Sequence, residues 1–194
     1  MNSDFSGIMS PIAYFDSPGT HNTAETLKLA KKRSLEREIN DIVVASTTGA
    51  TGVKASEVFQ GFNLIVVTHV TGFKEPNAQE FLPTNRLAIE ENGGKILTTA
   101  HAFGGFGRAV HIRFGAIQVD EVTANVLRLF GEGTKVASEI ACMAADSGLI
   151  SVSSEVVSVG GSGRGADTAI LVKPSNTHTF FDMRIKEIIC KPRL

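Results

Sequence analysis

The stretch DIVVASTTGATGVKASEVF, residues 41–59, decides the fold of this chain. The β-branched run at 42–45 predicts a buried strand, residues 46–52 predict a loop of glycines and hydroxyls, and residues 53–59 predict a helix. A strand, such a loop and a helix N-terminus in this order direct backbone N–H groups and the positive end of the helix dipole at one point. Phosphate is the natural ligand of that point. A tight turn whose hydroxyls only cap the helix is the alternative.

Short apolar runs bounded by glycine or polar turns recur along the chain, and each predicts a strand. They cover residues 12–15, 42–45, 64–67, 95–97, 156–159, 169–172 and 185–190. Continuous apolar strands are typical of a sheet covered on both faces. Helical patterns at 23–39, 53–59 and 84–92 separate the first four strands, and three more helices are predicted at 104–114, 119–130 and 134–147. This order predicts one α/β domain over residues 1–194, with a mostly parallel, doubly wound sheet and antiparallel C-terminal strands.

Composition argues against several classes of partner. The chain has 194 residues, 19 basic and 20 acidic, for a net charge of −1. It therefore lacks the excess of positive charge that is typical of proteins that bind nucleic acid or an anionic membrane. No apolar stretch approaches the roughly 20 residues of a membrane span, and the N-terminus does not resemble a secretory signal. Cys142 and Cys190 are expected as reduced core residues of a cytoplasmic protein, and no spacing predicts a metal site.

The predicted strands end in similar residues, and the carboxyl ends of strands in open α/β sheets are where ligands bind. Hydroxyls, small residues and histidines follow the first four strands, and a glycine loop follows the fifth. His69 and His101 stand at equivalent positions after neighbouring strands, where they could donate to phosphate or act as acid or base; polar strand ends bonded to a nearby loop are the alternative. The candidate binding residues are Ser46, Thr47, Thr48, Gly49, Thr51, Gly52, Thr68, His69, His101, Gly161, Gly163 and Arg164. No catalytic residue is assigned.

The second glycine loop, GGSGRGADT at residues 160–168, loosely matches a dinucleotide-binding pattern. That pattern must open a helix, whereas strand character resumes after Asp167, so an NAD site is not expected. Arg164 could contact a phosphate, and Asp167 could orient Arg164 or cap the turn. The loop containing Phe103 and Phe106 could wrap a flat aromatic ligand, or its rings could be satellite core.

The chain resembles the C-terminal domain of pyruvate kinase at residues 42–51, and over residues 12–193 it resembles the stand-alone pyruvate kinase α/β domain proteins of archaea and bacteria. The residues that carry this resemblance are Tyr14-Phe15, Pro18-Gly19, Asn22-Thr23, Val44 to Thr47, Val67-Thr68-His69, Gly72-Phe73, Thr99-Ala100-His101, Ala144 to Ile150, Gly160 to Thr168 and Lys186 to Arg193.

The resemblance implies a three-layer α/β/α fold and, because members of this group bind flavin mononucleotide (FMN), it implies FMN as the favoured ligand. Pyruvate kinase activity is not expected, because that chemistry belongs to a separate barrel domain. Function is therefore predicted as binding of a phosphorylated small molecule, and whether the chain is an enzyme stays open. The alternatives are a non-catalytic sensor of a sugar phosphate or nucleotide, and a phosphosugar isomerase-like enzyme with His69 or His101 as base. Homo-oligomerisation also stays open.

Overall fold

A computed structural model describes residues 7–193. Within them, seven strands form one sheet in the order β1-β7-β6-β5-β2-β3-β4. The strands are β1 (Ala13–Phe15), β2 (Asp41–Ala45), β3 (Asn63–Val67), β4 (Lys95–Leu97), β5 (Val156–Gly160), β6 (Thr168–Lys173) and β7 (Arg184–Pro192). All seven lie where the apolar runs predict them, with ends that differ by at most two residues.

Six α-helices connect or flank the strands. They are α1 (Thr23–Glu36), α2 (Ala50–Val58), α3 (Pro83–Glu91), α4 (Phe106–Phe114), α5 (Val119–Arg128) and α6 (Glu132–Asp146). Each corresponds to a helix predicted from sequence. The largest shifts are at the end of α1, which stops at Glu36, and at the start of α2, which begins at Ala50 and therefore includes Gly52.

The sheet is mixed, as predicted, but a single strand makes it so. Strand β6 runs antiparallel to both β5 and β7, while the pairs β2–β3, β3–β4, β2–β5 and β1–β7 are parallel. The chain therefore builds outward from β2 to β4 and then returns to place β5 on the other side of β2. This reversal beside β2 creates a crevice beyond the carboxyl ends of β2 and β5, which is the usual ligand position in such sheets.

Helices cover both faces of the sheet, which gives the three-layer α/β/α architecture. On one face, α1, α2 and α3 bury residues such as Leu27, Phe59 and Ile89 against one set of strand side chains. On the other face, α6 packs Ile140 and Met143 against the alternate set. Successive residues of β2 point to opposite faces, so its continuous apolar sequence is explained by burial on both sides.

Helices α4 and α5 are much less buried than the others. None of the residues of α4 is buried, and Ala124 is the one buried residue of α5. The two helices contact each other where His111 Nδ1 lies 2.8 Å from Glu121 Oε1. They form an outer layer beside α6.

Cys142 and Cys190 are buried free thiols, and burial raises their pKa values to about 12 and about 11. Both are therefore protonated at neutral pH, as the sequence predicts for core cysteines.

Candidate functional site

A cleft of about 890 Å³ opens at the carboxyl ends of β2, β3, β4 and β5. It is walled by loop 46–52, the turns after β3 and β4, loop 161–165, and one side of α6. Ten of the twelve sequence-predicted binding residues line it: Ser46, Thr47, Thr48, Thr51, Thr68, His69, His101, Gly161, Gly163 and Arg164.

Loop 46–52 presents a run of free backbone donors. Within residues 7–193, no acceptor pairs with the N–H groups of residues 47–51, whereas the N–H of Gly52 donates to Ser46 Oγ at 3.1 Å. Ser46 therefore caps α2, so the simple capping role applies to that hydroxyl. The preceding donors remain at the positive end of the α2 dipole, where they suit an anion.

Gly49 and Gly52 do not line the cleft, and packing explains both. Gly49 has φ +95°, and a Cβ there would lie 2.5 Å from Asn85 Cβ. At Gly52 a Cβ would lie 2.7 Å from Val66 Cγ1. These glycines allow loop 46–52 and α2 to approach α3 and the sheet, and thereby fix where the donor run points.

His69 lies in a chain of side-chain hydrogen bonds. Its Nδ1 is 2.9 Å from Glu80 Oε2, and its Nε2 is 3.3 Å from Thr47 Oγ1. Lys74 also pairs with the carboxylate of Glu80. The contact with Lys74 and, to a smaller extent, the contact with His69 lower the pKa of Glu80. Because an ionised carboxylate only accepts hydrogen bonds, Nδ1 of His69 carries the hydrogen and Nε2 of the neutral ring is left as the acceptor for Thr47.

His101 lies beside His69, as expected for equivalent positions after neighbouring strands. Their ring centroids are 5.4 Å apart, and Phe73 lies 4.4 Å from His69 and 5.3 Å from His101. Val70 N–H donates to His101 Nε2 at 3.4 Å. Burial lowers the pKa of His101, and the nearby Glu139 opposes that shift. The three rings form one aromatic wall of the cleft.

The buried carboxylate of Asp167 holds loop 161–165 in place through hydrogen bonds to backbone N–H groups. This buried carboxylate accepts hydrogen bonds from the N–H groups of Gly19 and Ser162 at 3.1 and 3.2 Å. Thr23 Oγ1 accepts a hydrogen bond from Ala166 N–H at 3.0 Å, so Thr23 anchors the end of the loop to the start of α1. Asp167 thus holds the turn and does not pair with Arg164.

The same loop presents a second set of free donors. Within the described chain, no acceptor pairs with the N–H groups of Gly163, Arg164 and Gly165. The loop joins the antiparallel strands β5 and β6 and opens no helix, in agreement with the prediction against an NAD site. The cleft is therefore bordered by two donor loops.

Helix α6 supplies a buried ion pair that the sequence analysis missed. Lys135 and Glu139, one turn apart, pair with each other and both line the cleft. Glu139 Oε1 also accepts a hydrogen bond from Phe103 N–H at 2.9 Å. The signal in the sequence was a lysine and a glutamate at i and i+4 on a helix whose apolar positions are otherwise buried, a place where charges are costly unless paired.

The family assignment agrees with this geometry. The model of the pyruvate kinase α/β domain matches residues 24–172, well over half of the chain. The matched part runs from α1 through β6 and includes every strand end that borders the cleft. This chain belongs to the pyruvate kinase α/β domain family.

Charge in the cleft of this pyruvate kinase α/β domain differs from that of the whole chain. Three cations of the cleft, Lys54, Arg108 and Arg164, have no carboxylate partner among residues 7–193. The carboxylates of the cleft are each paired, Glu80 with Lys74, Glu132 with Arg128, and Glu139 with Lys135. The whole chain has a net charge of −1, so positive charge is concentrated at this site.

The two phenylalanines predicted to wrap a flat ligand, Phe103 and Phe106, lie outside the cleft. Phe103 is buried against Ala124 and Cys142, and Phe106 is exposed and does not contribute to the lining. The idea that this segment wraps a flat ligand is therefore wrong, because Phe103 packs in the core with Phe180 at 5.2 Å. Phe73 is the ring that faces the cleft.

Within the described part of the chain, no three His, Cys, Asp or Glu side chains are arranged to hold a metal ion. No helix of residues 7–193 has the length and apolar character to cross a membrane.

Proposed function

We propose that this pyruvate kinase α/β domain protein binds a phosphorylated small molecule in the cleft, with FMN as the favoured ligand. The observation that carries the proposal is the run of unpaired N–H groups at residues 47–51. A bound phosphate would supply the acceptors that these donors lack and would lie at the positive end of the α2 dipole.

The charge and size of the cleft support the same ligand class. Lys54, Arg108 and Arg164 are available to an anion, since no carboxylate of the described residues pairs with them. Its volume, about 890 Å³, lies within the range of pockets that enclose a ligand of cofactor size. A bare phosphate ion would leave most of that space unused.

The aromatic wall supports a planar group attached to the phosphate. Phe73 contacts both histidines, and the guanidinium of Arg108 lies 5.1 Å from the centre of its ring. Flat aromatic groups stack favourably on such surfaces. When bound, an isoalloxazine ring would supply redox chemistry, and the residues of this chain would hold and orient it.

The test is to purify the protein without added flavin, record its absorbance spectrum, and titrate FMN against riboflavin, which lacks the phosphate. FMN at a hundred times its Kd should stabilise the fold by about 2.7 kcal/mol, or raise Tm by roughly 5–10 °C. Riboflavin should bind at least about tenfold more weakly, because the phosphate contacts are lost. If the purified protein is colourless and its Tm does not change when FMN is added, FMN is not the ligand.

A sensor of a sugar phosphate or nucleotide is the second candidate, favoured by the largely polar loops around the cleft. A Tm increase with such metabolites but not with flavins, together with ligand-dependent oligomer size, would support it. The His69–Glu80 pair keeps an isomerase-like enzyme as a third candidate. In that case the His69→Ala variant would lose turnover.

A further inference from the structure

Thr47, His69 and Glu80 form a hydroxyl–imidazole–carboxylate chain. The distances are 3.3 Å from Thr47 Oγ1 to His69 Nε2 and 2.9 Å from His69 Nδ1 to Glu80 Oε2. The carboxylate fixes the tautomer, so Nε2 is positioned to accept the proton of the hydroxyl. This order of groups is the arrangement by which proteins activate a hydroxyl as a nucleophile.

The backbone around Thr47 supplies a second catalytic requirement. Thr47 stands at the junction of β2 and α2, and the N–H groups of residues 48–51 have no acceptor among the described residues. A nucleophile between a strand and a helix, followed by a free N–H, is the layout in which hydrolases stabilise an oxyanion. The side chains of Thr47, His69 and Glu80 all line the cleft and can contact a ligand there.

We propose that Thr47 is a nucleophile for ester hydrolysis, with His69 as its general base, Glu80 as the positioning residue, and carboxylic esters that carry an anionic group as substrates. This activity does not require the flavin of the proposed function. The free cations Arg164, Lys54 and Arg108 select the anionic group.

The reaction balances with water alone. Thr47 Oγ gives its proton to His69 Nε2 and forms a bond to the ester carbon, while the carbonyl electron pair moves onto oxygen beneath the free N–H groups. The tetrahedral intermediate collapses, the ester C–O bond breaks, and His69 returns the proton to the leaving alkoxide. A water molecule, deprotonated by His69, then attacks the threonyl ester; the bond from the carbonyl carbon to Thr47 Oγ breaks, His69 returns its proton to Thr47 Oγ, and the carboxylic acid is released.

The experiment measures hydrolysis of 4-nitrophenyl acetate and of a matched pair of esters, the anionic 4-acetoxybenzoate and the neutral 4-acetoxybenzamide. Thr47→Ala and His69→Ala should lower kcat/KM by at least about 100-fold, while Thr47→Ser keeps the activity. The anionic ester should be preferred about tenfold, and Arg164→Ala, which removes one of the three cations, should reduce that preference.

Matched controls exist on α4 and α5. His111 pairs with Glu121 at a distance like that in the proposed site but outside the cleft, and Thr123 is a half-buried threonine on α5 that also lies outside the cleft. His111→Ala and Thr123→Ala should leave the rate unchanged. A fluorophosphonate probe should add one label to the wild type, on Thr47, as found by peptide mass mapping.

Wild-type hydrolysis no faster than that of Thr47→Ala, with the variant folded by its melting curve, would overturn the proposal, and so would a label on another residue. FMN binding tests the proposed function separately, since it requires no turnover. If both proposals hold, FMN should inhibit hydrolysis competitively, because its phosphate would occupy the N–H groups that stabilise the oxyanion.

Discussion

Gly52 sits where α2 approaches the sheet most closely, and the approach depends on its missing side chain. A Cβ there would lie 2.7 Å from Val66 Cγ1 and 2.8 Å from Ile89 Cδ1. We expect Gly52→Ala to lower the free energy of unfolding by about 1–3 kcal/mol, because it overpacks a filled core. Guanidinium denaturation would measure it. Glu57→Ala, at an exposed position of the same helix, should stay within about 0.5 kcal/mol of the wild type.

The lowered pKa of His101 links stability to pH. Burial disfavours the charged ring, and the groups that face it are Glu139, which favours the charge, and His69, Lys135 and Arg108, which oppose it. The unfolded chain binds a proton near pH 6.5, before the native chain does. Stability from this residue is therefore complete above pH 6.5 and is lost as pH falls through the native pKa.

The measurement is denaturation of the wild type and His101→Asn at intervals between pH 7.5 and 5. The wild type should lose stability across this range, and the variant should lose less. An NMR titration should place the His101 pKa below 6.5. Equal slopes for the two proteins would contradict the prediction. Carboxylates with lowered pKa values, such as Glu80, stabilise the ionised native state. Their contribution is lost only at more acidic pH, below 4.5, where they become protonated.

Single residues of the site differ in how far sequence could predict them. His69 and His101 lie two and four residues beyond the neighbouring parallel strands β3 and β4, so their proximity follows from the sheet. Glu80 could not be assigned, because it lies in an irregular segment whose path carries no periodic signal, and only the folded chain returns it to His69. Asp167 was assigned two roles, and the buried hydrogen bonds to Gly19 and Ser162 decide for the structural one.

At the scale of elements, α1 is tied to β7 by a two-point ion pair. Arg33 Nε and Nη2 each lie 2.7 Å from an oxygen of Glu187, and both side chains are largely buried. This contact lowers the pKa of Glu187 below its ordinary value of 4.5. Its stabilisation is therefore present above that pH and is lost as pH falls through the native pKa.

We expect Glu187→Gln to lower the free energy of unfolding by about 1–3 kcal/mol, because it leaves a half-buried guanidinium with a weaker partner. Urea denaturation at pH 7 would measure it. The exposed pair of Arg86 and Glu90, which spans one turn of α3, supplies the control. Glu90→Gln should cost no more than about 0.5 kcal/mol. If the two substitutions lowered the free energy of unfolding equally, the ion pair between α1 and β7 would contribute no more than an exposed pair.

Elements were easier to predict than their ends, and α2 shows why. Its sequence contains Gly52, which favours a loop, so the helix was predicted to begin at Val53. In the structure α2 begins at Ala50, because the close packing against Val66 and Ile89 selects glycine inside the helix. Tertiary contact overrides local propensity here. The antiparallel direction of β6 was predictable, because too few residues separate it from β5 to form a crossover helix.

Across the described part of the molecule, burial falls from the sheet toward α4. Strands β5 and β6 consist almost entirely of buried residues, whereas no residue of α4 is buried. Hydrogen exchange should therefore show α4 amides exchanging at least about 100-fold faster than those of β5, because few apolar contacts must break to open the helix. Mass spectrometry of peptides from both elements would test this. Equal protection of the two would contradict it.

Because Arg108 lies on α4, the weak packing of this helix affects how long a ligand stays in the cleft. Arg108 reaches from this helix to the face of Phe73, so one of the free cations of the cleft is carried by an element that opens easily. Each opening of α4 would withdraw that charge and widen the entrance while the two donor loops stay fixed. Residence time of an anion in the cleft would then be set by the fluctuation rate of one peripheral helix rather than by the rigid sheet.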